Sequence, residues 1–367
     1  MQVAVVGGGG FIGSHVVDHL VEAGHQVRVI DPAPRWRNPA ARYHELDLFD
    51  PGGLAGALAG CEAVFHLAGA SDVNDVAADP VAAVRLNVEG TARVLEAARQ
   101  QRCARVLFAS TVWVYGATVG GGERSEEAPV DLTQAGHVYV STKLAAELLV
   151  HSYREMYGQR FTILRYGIPY GPRMRDVLVV ARFVRAALDG TPITIAGTGE
   201  QQRNYVFVGD LADAHVRALA PAAADRVLAL EGGAPVSVRE IADTVRELIR
   251  PVPVEYMPAR TADYQGVSVS NRRAKELLDW SPETSFAVGV RRYLDWLTTT
   301  GDENVGNGRT QDAAGAGPNA ATALQRPGAE TVLARGDDPP DPRARASRAA
   351  GSRASGTTRR SAREGGS

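Results

Sequence analysis

The chain has 367 residues, ample for one large domain or two moderate ones around a buried core. Its 44% hydrophobic and 22% charged residues are ordinary for a globular protein, and 40 Lys+Arg against 42 Asp+Glu give a net charge of −2 with no positive excess to draw a polyanion, so no specific nucleic-acid partner is expected. The two cysteines, Cys61 and Cys103, stand in no metal-ligand or CxxC spacing; they read as small buried apolar residues in a reducing compartment, and no metal site is expected.

The apolar run at 3–6 follows the initiator directly, without a basic region or cleavage site, and is too short to span a bilayer. A cytoplasmic protein with no membrane partner is the expectation. Further along, apolar β-branched runs at 26–30, 43–46, 63–66, 105–109 and 161–165 join 2–6 as predicted strands. Amphipathic stretches at 12–23, 51–59, 80–101 and 137–157 predict the helices between them. This alternation is that of an α/β protein with a Rossmann-type, doubly wound parallel sheet. The near-continuous apolar runs VRVI and AVFHLA suit strands covered on both faces.

From 169 the pattern loosens into short strands (193–195, 205–208, 227–230, 252–256) among helices (176–188, 210–220, 238–249, 272–278, 286–297). The reading is a Rossmann domain over 1–168, completed by strands near 204–232, and a smaller C-terminal α/β substrate lobe over 169–300. Residues 301–367 are rich in Gly, Ala, Arg, Ser, Pro and Asp, with no aromatics and no apolar period, and predict a disordered tail. From Arg343 the tail carries seven arginines against one acid, Glu364, which leaves weak polyanion binding open.

The first strand runs into VAVVGGGGFIGSH, with Gly7, Gly10 and Gly13 between strand and helix. Such a turn needs positive φ, close backbone approach to a pyrophosphate, and a small residue where helix packs on strand. The helix start then offers free amides to phosphate, so the segment including Phe11 and Ile12 is the expected cofactor-binding turn. Asp31 closes the second strand, placed to accept from the adenosine ribose hydroxyls and to repel a 2′-phosphate. That favours NAD over NADP, although Arg35 and Arg37 nearby weigh the other way. Asp47 and Leu48 are expected at the adenine edge, and Leu67, Ala68 and Gly69 form a small-residue turn that lets the cofactor pass. His66 before them reads as a packed strand residue.

In HVYVSTKLAAELL, Tyr139 and Lys143 lie four apart and share a helix face. A phenol with pKa of about 10 is a poor base at neutral pH, and a neighbouring ammonium favours phenolate. Tyr139 is thus equipped to take a hydroxyl proton while hydride passes to NAD. The predicted fifth strand ends at Ser110 and Thr111, on the sheet edge where ligands collect, and both hydroxyls are expected to hold substrate.

Taken in order, GxxGxxG at 7–13, the strand ending in Asp31, HLAG at 66–69, Asn87 in NVEGT, STxxxYG at 110–116 and YxxxK at 139–143 resemble the extended short-chain dehydrogenase/reductase family, in its nucleotide-sugar epimerase/dehydratase branch. LRYGIPYGPR, GTGEQQRNYVFVGDLADAH and PARTAD extend the resemblance over about residues 2–299. It implies NAD as cofactor, a nucleotide-sugar substrate, and a homodimer formed through the helices at 80–101 and 137–157. It makes Thr111, Tyr139 and Lys143 the catalytic set, the latter two also lining the cofactor, with Asn87 supporting them from the neighbouring helix. Arg203 and Arg260 resemble the arginines that hold the substrate diphosphate, a task suited to a guanidinium fork.

Two positions depart from the family pattern. Ile168 stands where many relatives carry a diphosphate-contacting Asn, and Val112–Trp113 stand where dehydratases carry an Asp-Glu pair and decarboxylases a Glu. The resemblance therefore implies an NAD-dependent epimerase, acting at C4 through a transient 4-keto sugar. A 4-ketoreductase or other sugar dehydrogenase would use the same residues. A non-catalytic NAD-sensing protein is the alternative from another class, and the Thr111/Tyr139/Lys143 set counts against it.

Overall fold

The computed structural model describes residues 1–116, 124–130, 132, 136–259 and 268–300. Seven strands form the large sheet: β1 (Gln2–Val6), β2 (Gln26–Ile30), β3 (Arg42–His44), β4 (Ala63–His66), β5 (Arg105–Thr111), β6 (Arg160–Tyr166) and β10 (Arg226–Leu230). Their order is β3-β2-β1-β4-β5-β6-β10, and every neighbouring pair is parallel. The expected doubly wound architecture is the one observed. Helices cover both faces, which is why these strands are apolar on successive residues: Val3, Ala4, Val5 and Val6 are all fully buried.

On one face, α1 (Phe11–Glu22) and α8 (Val208–Arg217) bring Val16, Val17, Leu20, Leu211 and Ala214 against Val3, Val5 and Phe65. On the other, α2 (Gly53–Leu58), α5 (Gly90–Gln100) and α6 (Val138–Tyr157) bury Leu58, Val94, Leu95, Ala146 and Val150 against Ala4, Val6, Val106 and Phe108. The strand order reverses between β1 and β4, and such a switch point opens a crevice at the C-terminal ends of the strands.

The stretch predicted as one helix over 80–101 is divided. Asp72 caps α3 (Val73–Ala78), an element that sequence reasoning missed, and Asp79 caps α4 (Pro80–Val84), which starts on a proline. The chain then widens into a π-helical turn, Arg85–Glu89, before α5 begins. Such turns concentrate at functional positions, and this one carries Asn87.

The second layer of structure is irregular. β9 (Gln202–Phe207) lies between β7 (Ile168–Tyr170), to which it is parallel, and β11 (Pro235–Ser237), to which it is antiparallel. β8 (Ile193–Ala196) pairs in parallel with β12 (Val254–Met257). Around these, α7 (Val179–Asp189), α9 (Val238–Leu248) and α11 (Phe286–Thr300) close a core containing Tyr170, Phe183, Val184, Ile241, Val245 and Val290. α10 (Arg272–Leu278) packs beside β10 and adds Ala274 and Leu278 to the large core. Of the strands near 204–232, β10 joins the large sheet, but the strand expected at 205–208 does not. It starts at Gln202, stays with β7 and β11, and passes at Phe207 directly into α8. Its polar first half, Gln202–Asn204, is unsuited to a strand buried on both faces.

Among the described residues no helix is long and apolar enough to cross a membrane. Cys61 and Cys103 are free and buried. Residues 301–367, predicted as a tail, lie outside the described residues, as does Arg260.

Candidate active site

The glycine-rich turn is built by close approach. Gly7 has φ of +82°, a conformation other residues adopt only at a cost, and a Cβ added there would lie 2.5 Å from the Ala68 amide nitrogen. A Cβ on Gly13 would come to 2.1 Å from the Gly7 carbonyl oxygen, so only glycine lets α1 press onto the turn. Gly10 caps α1 without a side-chain acceptor, which leaves the first amides to a ligand. Ile12 packs into the main core and Phe11 toward the lobe core, edge-on to His15.

Around this turn stand the other residues expected at the cofactor. Asp31 follows β2 and accepts from the Gly9 amide at 3.0 Å and the Ala33 amide at 3.1 Å, one oxygen to each. Leu67 and Ala68 donate their amides to the Val6 carbonyl at 2.9 and 3.0 Å. Asp47 and Leu48 lie beyond the end of β3: Asp47 is exposed, accepting from the Phe49 amide, and Leu48 is buried. A cradle that a single methyl group at position 7 or 13 would fill, with a carboxylate at the end of the second strand, fits a dinucleotide with a free ribose.

Next to the cradle the structure gathers Gly69, Asn87, Thr111, Tyr139 and Lys143. The Asn87 amide group donates to the Ala70 carbonyl and to the Thr142 hydroxyl, both at 2.9 Å, and its oxygen accepts from the Ala70 amide at 2.7 Å. It thereby fastens the turn after β4 to the first turns of α6. A Cβ on Gly69 would meet the Asn87 oxygen at 2.9 Å and the Lys143 ammonium at 3.4 Å. Lys143 donates to the Ala109 carbonyl at 3.0 Å. The Thr111 hydroxyl is near enough to the Tyr139 phenol to favour its ionised form, and its oxygen accepts from the Trp113 amide at 3.2 Å. Burial pushes the Tyr139 phenol up to about 12, against the lowering effect of Thr111. Burial likewise draws Lys143 down to about 8, opposed by the Glu147 carboxylate.

A family model described as the NAD dependent epimerase/dehydratase family matches residues 3–228. The chain belongs to that family. The UDP-glucose 4-epimerase of Mycolicibacterium smegmatis is 32% identical over 313 residues, covering 81% of this chain and 98% of the relative. A UDP-N-acetyl-alpha-D-glucosaminuronate decarboxylase from Bacillus cytotoxicus is 27% identical, covering 80% of this chain and 96% of its own. Among solved structures, the Thermus thermophilus UDP-glucose 4-epimerase in complex with NAD superposes with a TM-score of 0.74 at 30% identity, over 81% of this chain and 98% of that one. NAD is accordingly the cofactor of this enzyme.

In this member of the epimerase/dehydratase family, Ser110 lies at the end of β5 as expected, on the strand face opposite to Thr111. Strand alternation puts it on the face of Val106 and Phe108, under α6, and its hydroxyl donates to the Glu147 carboxylate. It is 2% exposed and lies beneath the site, with its hydroxyl turned to Glu147. Glu147 also accepts two bonds from the Arg165 guanidinium, which donates further to the Tyr115 hydroxyl and stacks 4.8 Å from that ring. Sequence reasoning missed Glu147 and Arg165. The available signal was an acid four residues beyond Lys143, on the buried face of the same helix. His66 is the packed residue expected: it meets the Thr91 hydroxyl at 2.9 Å, and burial with the Lys143 charge lowers it to about 3, leaving it neutral.

The remaining positions are spread around the lobe. Arg203 lies on β9, half-exposed, with its guanidinium bonded to the Gln202 carbonyl at 2.7 Å. Ile168 on β7 is half-buried against the lobe core. Trp113 sits edge-on to Tyr139, ring centroids 6.2 Å apart at 87°. An indole thus borders the phenol from the position where dehydratases carry the second acid of their pair.

Proposed function

We propose that this enzyme is a nucleotide-sugar 4-epimerase. The observation that carries the reading is Thr111 near the Tyr139 phenol, Lys143 one turn along the same helix face, and Val112 and Trp113 in place of a carboxylate. Bound NAD supplies a hydride acceptor that can return what it took. Tyr139 takes the proton from the 4-hydroxyl and gives it back to the ketone oxygen. Thr111 holds that oxygen beside the phenol. Lys143, still charged below about pH 8, stabilises the phenolate and offsets the rise that burial imposes. Removing water across C5 and C6, or carbon dioxide from C5, calls for a carboxylate that positions 112 and 113 do not carry.

In this reading residues 1–168 hold NAD and 169–300 hold the nucleotide-sugar, with Arg203 and Arg260 on its diphosphate. A homodimer is supported by the apolar strip that the helices at 80–101 and 137–157 leave open, where Val81 is 78% and Leu148 66% exposed. The full-length protein is tested with UDP-glucose, UDP-glucuronic acid and other nucleotide hexoses, without added NADH. Two epimers should interconvert to a stable ratio, read by NMR. Net NADH consumption would make it a ketoreductase; a 4-keto-6-deoxy product or released carbon dioxide would make it a lyase.

A further inference from the structure

The segment after Asp31 has no regular structure of its own, yet it is fastened on every side. A Cβ on Gly9 would lie 2.3 Å from the Pro34 Cα, so this segment presses directly onto the glycine turn, and the Trp36 amide donates to the Gly9 carbonyl at 3.3 Å. The Trp36 ring is the anchor. It stands edge-on to Trp296 of α11, centroids 5.7 Å apart at 71°, with the Arg173 guanidinium 5.7 Å from its centre. Arg173, in a left-handed conformation at φ of +67°, is held in turn by Asp18 of α1 at 2.7 Å, and the other Asp18 oxygen accepts from Asn38 at 2.8 Å.

The same cluster disposes of the two arginines nearest the expected ribose site. Arg35 lies 5.5 Å over the Trp36 ring. Arg37 stacks 4.7 Å over Tyr43 and is ion-paired with Glu45. An arginine beside the ribose is what admits a 2′-phosphate, and here both are drawn elsewhere.

We propose that Trp36, locked between Trp296 and Arg173, is a positioning residue for cofactor choice: it fixes the segment that orients Asp31 and holds Arg35 away from the ribose. The proposal rests on NAD as cofactor and is independent of the sugar reaction. Aromatic and cation–π contacts to a half-buried tryptophan are strong enough to order such a segment. Removing the ring frees Arg35, so NAD loses its oriented acceptor while NADP gains a cation.

The test is equilibrium titration of the full-length protein with NAD and with NADP, alongside its melting temperature. Trp36→Ala should raise the half-saturating NAD concentration roughly tenfold and change that for NADP by less than about threefold, narrowing the ratio. Trp36→Phe should keep most of the wild-type ratio. Trp296→Ala, which removes the contact from the far side, should move the ratio in the same direction. A wild-type NAD:NADP ratio in both alanine variants, or equal weakening of the two cofactors, would overturn the proposal whatever happens to melting. If Trp36→Ala fails to fold, the ratio in Trp296→Ala decides.

Discussion

Tyr139, Lys143 and Glu147 succeed each other at four-residue intervals on α6 and so share one face, yet the two regions they serve follow opposite rules. Toward the start of the helix, burial drives Tyr139 up to about 12 and Lys143 down to about 8, and neither is ion-paired among the described residues. One turn later, Glu147 accepts two bonds from Arg165 and one from Ser110, and Arg165 donates further to Tyr115. A buried charge paired and hydrogen-bonded in this way is settled and inert. A proton carrier needs a pKa that can be moved and bonds that can change. In the proposed mechanism the helix thus carries reactivity in its first turns and the support for it in the next.

The largest effect expected from that contrast lies at Tyr139. Tyr139→Phe should keep NAD binding and melting temperature while cutting turnover about a thousandfold, since the ring still packs and only the proton carrier is gone. In the wild type, kcat/KM should rise with pH below about 8, because each step populates more phenolate while Lys143 remains charged. Above about 8 the ammonium loses its proton, its help to the phenolate fades, and the rise should flatten. Turnover near wild type in the phenylalanine variant would remove Tyr139 from the chemistry.

The parts of the molecule also differ in how openly the sequence declared them. Strands β1, β2 and β4 end where the apolar runs end, because a parallel strand covered on both faces must be apolar throughout. The lobe strands IPY and PVS were not legible: each is three residues, interrupted or opened by a proline, and held by β9, far away in sequence. The glycine turn, Asp31, Thr111, Tyr139 and Lys143 could be proposed from the sequence because the chemistry assigned to them imposes residue types at short spacing. Arg165 could not, since an arginine inside the run FTILRY declares its burial only once Glu147 faces it. Asn87 stood out in the sequence, whereas the π-helical turn that carries it did not, being an interruption of an otherwise helical pattern.

A test of the settled region comes next in size. Glu147→Ala leaves the Arg165 guanidinium buried without its carboxylate, and uncompensated charges of this kind cost about 3–5 kcal/mol. Urea denaturation should show that loss, and Glu147→Gln, which keeps the shape and some of the hydrogen bonds, should lose less. Unchanged stability in the alanine variant would mean that this network does not support the helix.

Ser110→Ala should have the smallest effect and makes the sharpest distinction, because Ser110 and Thr111 are neighbours assigned to opposite regions. The substitution removes one hydroxyl that donates to a carboxylate, while Arg165 continues to neutralise Glu147, so no charge is left unpaired. A hydrogen bond to a charged group contributes about 1.5–3 kcal/mol, and urea denaturation should show a loss at or below that range. Lys143 keeps its bond to the Ala109 carbonyl and Tyr139 keeps Thr111 nearby, so kcat and KM should stay near wild type. Thr111→Val provides the contrast: it preserves side-chain volume and should lower kcat sharply. If Ser110→Ala instead lost activity as steeply as Thr111→Val with its stability intact, the hydroxyl at 110 would be touching substrate, and the division of α6 into reactive and settled turns would have to be redrawn beyond Glu147.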